Sequence, residues 1–219
     1  MKIHVLKGKS NLSNTYLLES DSKEVIVIDP SDYNRINNYI LDNDVTIRYV
    51  ILTHEHWDHI IGLNQLREEN NCKVISTKKC SEAIGNSKRN LSRYSPILSV
   101  TGESARAEVV CDKSEITFED GYELWWNNQA IECIETEGHS ECGCCILTGN
   151  ILFSGDTLLE NVDDIFRMPG ANQKAFYEKT LPILNVMYEK NPDIIIYPGH
   201  GENMNLKGMI DKFKSNNFG

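Results

Sequence analysis

The chain has 219 residues, enough for one sizeable core, and carries 22 Lys and Arg against 32 Asp and Glu, a formal net charge of −10. So acidic a protein repels phosphate backbones, which argues against nucleic-acid binding. No apolar run approaches the roughly 20 residues of a membrane span, and the opening MKIHVLKGKSNLSN contains no signal-peptide apolar segment. A cytoplasmic protein without a membrane partner is expected.

In chain order, MKIHVLKG, NTYLLES and EVIVIDP read as short strands, with SDSK as a hairpin turn between the second and third. YNRINNYILDND carries apolar residues at 36, 39 and 40 and suits a short amphipathic helix. IRYVILT reads as a buried strand, GLNQLREENN as a helix and CKVIST as a strand. Residues 77 to 107 differ: periodicity is weak, and Lys78, Lys79, Lys88, Arg89, Arg93 and Arg106 outnumber Glu82 and Glu103. This basic stretch is expected to be a solvated face, with a substrate-steering lid as the alternative. EITF, YELWW, AIECIET, CCILTG and NILFSG follow as strands. A helix is expected over about 172 to 190, then a strand at DIIIYPG and a last helix at LKGMIDKFKSN. Strands thus come in two batches, each followed by helices. That order favours sheets packed together with helices outside, in one domain over 1–219, rather than a parallel βαβ fold.

Seven cysteines, an odd number, fit a reducing compartment better than a disulfide framework. Cys142, Cys144 and Cys145 cluster near His139, but no second pair at zinc-site spacing accompanies them. Small buried thiols are the expected role, ahead of a redox-sensitive or metal-proximal one. Tyr94, Trp125, Trp126, Phe166 and Tyr177 are expected to be buried aromatics rather than a pocket wall.

The histidines carry the chemistry. Of six in the chain, His4 sits in a strand and is expected to be structural. The other five follow strands. YVILT runs into His54, His56, Asp58 and His59; IECIETEG into His139; NILFSG into Asp156; DIIIYPG into His200. Gly138, Gly155 and Gly199 immediately precede the last three, and glycine permits a sharp turn and a close approach. Strand exits are rigid and can present side chains to one point. His54 and His56 can converge on one ion, Asp58 and His59 on a second, and Asp156 has an oxygen for each. A consistent count gives His54, His56, His139 and Asp156 to the first metal, and Asp58, His59, His200 and Asp156 to the second. Imidazole with carboxylate suits two divalent ions, zinc first, with iron or manganese as alternatives. A bridging hydroxide completes both shells and is the expected nucleophile. Two dications less Asp58, Asp156 and hydroxide leave a charge near +1, which favours an anionic small-molecule substrate. Asp58 is the candidate catalytic residue, orienting the nucleophile or taking its proton. Thr53, Ser154 and Thr157 are candidates for fixing imidazole tautomers.

THEHWDH, EGHS, SGDTLL and YPGHG, in this order, resemble the motif set of the metallo-β-lactamase superfamily, and within it the glyoxalase II-like hydrolases most. NTYLLES…EVIVIDPS looks like that family's opening hairpin and NLSRYSP like its middle segment. The resemblance implies a four-layered αββα sandwich with the metals at one edge. It implies the same seven ligands, and hydrolysis of a small thioester or ester. Three departures stand out. Only 19 residues follow His200, so a helical C-terminal domain like that of glyoxalase II is not expected. Cys142 occupies a usual glycine position. The loop LLENVDDIFRMPGANQ lacks the usual Gly-Arg pair and offers Arg167 instead. The substrate-binding residues are left open, with Arg167 and Tyr94 as the candidates. The intact ligand set argues against a β-lactamase and against a metal-stabilised binding protein. A mononuclear iron persulfide dioxygenase, using His54, His139 and Asp156, is the main rival, and a lactonase or other hydrolase branch is another.

Overall fold

A computed structural model describes residues 1–8, 12–95 and 108–215. The chain divides into two compact units, Met1–Phe118 and Glu119–Gly219.

The first unit is built on six strands in sequence order: β1 (Lys2–Lys7), β2 (Asn14–Glu19), β3 (Glu24–Ile28), β4 (Thr46–Ile51), β5 (Lys73–Thr77) and β6 (Ile116–Phe118). The first three pair antiparallel and the last three extend the sheet in parallel. The β2–β3 hairpin closes through Ser20 N–H to Glu24 O, with Lys23 in left-handed geometry, where SDSK predicts the turn. Parallel strands need crossovers, and helix α1 (Tyr33–Asn43) supplies the first. Asp32 caps it by accepting from Arg35 N–H, and Ile36 is its fully buried anchor. Val25–Ile28 and Val50–Leu52 are almost wholly buried, as unbroken apolar strands should be when both faces are covered.

Three further helices are short: α2 (Trp57–Ile60) follows β4, α3 (Leu63–Glu69) follows it, and α4 (Lys78–Ala83) follows β5. Two of them, α2 and α4, escape the sequence reading, while α3 is the helix expected at GLNQLREENN. α4 lies in the segment judged weakly periodic; Thr77 starts it by accepting from Cys80 N–H, and Cys80, Ser81 and Ala83 are buried. Of the basic stretch, 96–107, with Glu103 and Arg106, lies outside the described residues. In the described part, Arg93 approaches Glu108 at 3.8 Å. His4 is structural as expected: its Nε2 is 3.3 Å from Glu19 Oε2 and its ring rests against Tyr39.

The second unit holds a sheet in the order β12-β11-β10-β9-β8-β7. Its strands are β7 (Tyr122–Trp126), β8 (Gln129–Glu135), β9 (Cys144–Thr148), β10 (Ile151–Gly155), β11 (Ile195–Pro198) and β12 (Met204–Asn205). Only β10 and β11 run parallel. Between them come α5 (Val162–Ile165), α6 (Gln173–Ala175) and α7 (Leu181–Lys190), and α8 (Leu206–Ser215) follows β12. The single helix expected over 172–190 is interrupted at Phe176–Thr180 by a π turn. Pro182 gives the reason: it has no N–H for the i−4 carbonyl, and Leu181 N–H instead reaches back five residues to Phe176 O. The core gathers Leu152, Phe176, Leu184, Ile196, Met209 and Phe213, with Phe166 and Tyr177 ringed around Phe176. Trp126 is buried, but Trp125 is 68% exposed, against expectation. Successive residues of a strand face opposite ways, and β7 is the sheet's edge, so only one of the two indoles can turn inward. No described helix is long and apolar enough to cross a membrane.

Candidate metal centre

In the first unit, the donors lie just past the end of β4. His54, His56 and His59 are all at least 95% buried. The rings of His54 and His56 lie 4.7 Å apart, and those of His54 and His59 4.3 Å apart. The one-turn helix α2 holds Asp58 and His59, and its entry is pinned by Trp57 N–H to Asn90 O at 2.8 Å. Asn90 is itself buried, donating through Nδ2 to the carbonyls of Ile84 and Val109. The stretch expected to be a solvated face thus contributes a buttress for the histidine loop.

Asp29, at the end of β3, organises these imidazoles and is the residue the sequence reading missed. It is 1% exposed and has a left-handed backbone, φ 51°. Its carboxylate accepts from Thr53 N–H at 2.8 Å and from the Thr53 hydroxyl at 2.5 Å. His59 Nδ1 stands 3.0 Å from the same carboxylate, so Nδ1 carries the proton and donates. Because Thr53 spends its only hydroxyl proton on Asp29, its oxygen accepts from His54 Nδ1, 3.0 Å away. Both imidazoles are thereby held in the tautomer whose Nε2 has the lone pair, the form a metal requires. Asp58 is held by Ser13, whose Oγ donates to Oδ2 at 2.8 Å, and that oxygen is 3.7 Å from His59 Nε2. The only sequence signal for Asp29 is an acid closing an apolar strand, in VIVIDPS.

In the second unit, the donors come from three strand exits. His139 follows β8, Asp156 follows β10 directly, and His200 follows β11. Gly138 (φ 151°) and Gly155 (φ 48°) take positive φ as their positions suggest; Gly199 does not, and instead donates its N–H to Gly155 O at 2.8 Å. That bond ties the exit of β11 to the exit of β10. A side chain at Gly138 would collide with Phe176, 2.8 Å from an added Cβ. His139 Nδ1 is 2.8 Å from Ile165 O and must donate to it, which again leaves Nε2 as the lone-pair nitrogen. Asp156 Oδ2 lies 3.6 Å from His139 Nε2 and 3.5 Å from His200 Nε2. Ligand bonds of 2.0–2.1 Å in a tetrahedron place neighbouring donor atoms about 3.3–3.4 Å apart. A single oxygen, Oδ2, faces both histidines, where one oxygen for each ion was expected; its spacing suits an ion on either side of it, and the donor types suit a metal of the zinc class.

Of the suggested supports for the imidazoles, Thr53 does the job. Ser154 and Thr157 do not: Ser154 Oγ donates to the carbonyls of Gly155 and Leu158, and Thr157 Oγ1 meets Thr136 Oγ1 at 3.1 Å. The carbonyl of Ile165 and the carboxylate of Asp29 take their place. Arg167 is exposed and reaches Asp164 at 3.5 Å, and Tyr94 is 41% exposed. All seven cysteines are buried. Burial pushes the Cys145 thiol up to about 11, against the hydrogen bonds of Thr136 and Thr157, and the Cys133 thiol up to about 12.

The family described as "Metallo-beta-lactamase superfamily" matches residues 10–200. The "Probable polyketide biosynthesis zinc-dependent hydrolase PksB" of Bacillus subtilis is 25% identical over 91% of this chain and 78% of its own length. "Hydroxyacylglutathione hydrolase 1" of Vibrio vulnificus is 27% identical over 72% of this chain, which spans only 53% of that protein. Among solved structures, the BLEG-1 B3 metallo-beta-lactamase superposes with a TM-score of 0.76 at 20% identity, covering 96% of this chain and 97% of that one. ETHE1 from Myxococcus xanthus gives 0.68 at 20% identity over 94% and 80%. The fold is thus the αββα class expected from the sequence, with two mixed sheets flanked by helices.

Proposed function

Since the chain belongs to the metallo-β-lactamase superfamily, we propose that it is a binuclear metal-dependent hydrolase of a small thioester or ester. His54, His56, His139 and Asp156 hold one ion, and Asp58, His59, His200 and Asp156 the other. The observation that carries this reading is the position of Asp156 Oδ2, 3.5–3.6 Å from one histidine of each set. The names of two relatives point the same way, one a zinc-dependent hydrolase and one a hydrolase of a hydroxyacylglutathione, which is a thioester. When bound, the ions supply Lewis acidity and a water acidified to near neutrality.

The chain's own residues do the rest. Asp29 and Thr53 hold His54 and His59 in one tautomer, and Ile165 O does so for His139. Asp58, steadied by Ser13, orients the attacking water and takes its proton. The persulfide dioxygenase reading of the same motifs needs only His54, His139 and Asp156. The buried Asp29–His59 pair and the Ser13–Asp58 bond order the remaining donors and favour two ions.

Elemental mass spectrometry on chain purified without added metal is the test. Two equivalents of metal per chain, with hydrolysis of simple thioesters, are expected. One equivalent of iron, with oxygen consumed in the presence of a persulfide, would replace the hydrolase with the dioxygenase.

A further inference from the structure

Within the second unit, a cavity of about 500 Å³ lies between the sheet and α7, walled by Ile134, Leu147, Ile183, Val186, Met187 and Ile194. Gly149, in the turn that leads into β10, borders it, whereas Asp156 leaves the other end of that strand. The five residues of β10 put about 17 Å between that turn and the metal ligand. The volume suits a small molecule, and the walls suit an apolar body.

The rim of the cavity is acidic and aromatic. Glu132, on β8, lines it, and Glu123 on β7 stands directly opposite Glu132 in the antiparallel register. Trp125 pairs with Ala130, two residues from Glu132, so strand alternation puts its indole on the same face. Trp125 is 68% exposed, and Val186 on the facing helix 48%. Among the described residues, neither Glu123 nor Glu132 has an ion pair or a side-chain hydrogen bond. Lys190, at the end of α7, also lines the cavity, out of ion-pair reach of Glu132. Two carboxylates and one ammonium leave the rim with one net negative charge. Like charges directly opposite each other on a sheet are unfavourable. An acid at Glu123 guards the edge strand β7 against further pairing. Glu132 has no such role, because β8 is paired on both sides. Facing carboxylates beside an open indole are what an organic cation requires: opposite charge and a ring face.

We propose that this cavity binds a small amphipathic cation, with its apolar body among the walls and its ammonium between Glu123, Glu132 and Trp125. The site is separate from the metal ligands, and the inference does not rest on the hydrolase reading.

Calorimetry on the chain as purified tests this with three probes of one chain length: hexylamine, hexanol and hexanoate. The amine, cationic at neutral pH, should bind about 10-fold more tightly than the alcohol or the acid. Changing both acids, Glu123→Gln with Glu132→Gln, should bring amine and alcohol to within about 2-fold of each other. Trp125 emission should move to shorter wavelength as the amine binds, and Trp125→Phe should remove that shift. Val186→Arg, at a half-exposed position, sets bulk and positive charge at the mouth and should abolish binding. Lys190→Ala, which removes the competing cation, should strengthen it. Equal affinity for amine and alcohol, or tighter binding of the acid, would overturn the site. So would amine binding that is unchanged in Val186→Arg or in the double Gln variant, which would place it elsewhere on the molecule. Hexylamine that fails to bind at tens of millimolar would overturn it as well.

Discussion

The two units deliver donors in opposite ways. The first packs His54, His56, Asp58 and His59 into one loop and a single helical turn after β4. The second gathers three donors from three separate strand exits. A contiguous cluster inherits its spacing from local backbone geometry but must have its tautomers set, and buried Asp29 does this from another strand. A dispersed set depends on strand pairing. The parallel β10–β11 pairing and the Gly199–Gly155 hydrogen bond bring Asp156 and His200 together. Damage to the first should therefore act through proton placement, and damage to the second through geometry.

Asp156→Ala should produce the largest effect. It removes the oxygen flanked by both histidines of the second unit. Turnover should fall below detection and bound metal to one equivalent or less, while circular dichroism stays native. Full metal content in this variant would show that the dispersed set does not depend on its shared carboxylate.

Asp29→Asn comes next. The amide keeps the shape but can no longer accept at both oxygens from Thr53 and His59. Metal affinity should drop about 10–100-fold, the usual cost of losing a group that orients a ligand, and stability by about 1–3 kcal/mol. Titration with a competing chelator and urea melts measure the two. A variant that binds metal normally would remove the contrast drawn between the units.

How much of this the sequence could tell follows from the same contrast. All seven donors stand at strand exits because glycine turns and short-range spacing are local properties, and strand periodicity is local too. Asp29 was missed because its partners are 24 and 30 positions away, so nothing near it in sequence distinguishes it from an ordinary turn acid. Ile165 O escaped because a carbonyl has no residue identity to read. The π turn escaped because the helix expected over 172–190 runs straight through Pro182, and residue order does not show that Leu181 N–H reaches back to Phe176 O to absorb it. α4 was lost because charged residues on an exposed face dilute its three buried positions.

A smaller effect is expected from Gly138→Ala. The added methyl meets Phe176 at 2.8 Å and the backbone holds φ 151°, so the His139 turn must open or Phe176 must move. A cost of about 1–3 kcal/mol is expected. Chelator competition should show weaker metal binding, since the route from Gly138 to His139 is a single peptide. Loss of stability without loss of metal affinity would place the strain in the core alone.

The smallest effect near neutral pH concerns the thiols, and it bears on whether the cysteines near His139 take part in chemistry. Cys111 and Cys145 are pushed up to about 11 and Cys133 to about 12, each chiefly by burial. A folded thiol raised above its unfolded value stays protonated where the unfolded chain ionises. Its stabilisation is complete below about pH 8.5, the ordinary thiol value, and is lost as pH rises through the folded values. Unfolding free energy should thus be insensitive to these groups at pH 7. Above pH 9 each should cost up to about 1.4 kcal/mol per pH unit. Cys133→Ala should flatten that alkaline slope by one thiol's share while leaving metal content at pH 7 intact. Rapid alkylation of Cys145 at pH 7.5 in the native chain would contradict its burial and move the cysteine cluster from packing to the reactive surface of the site.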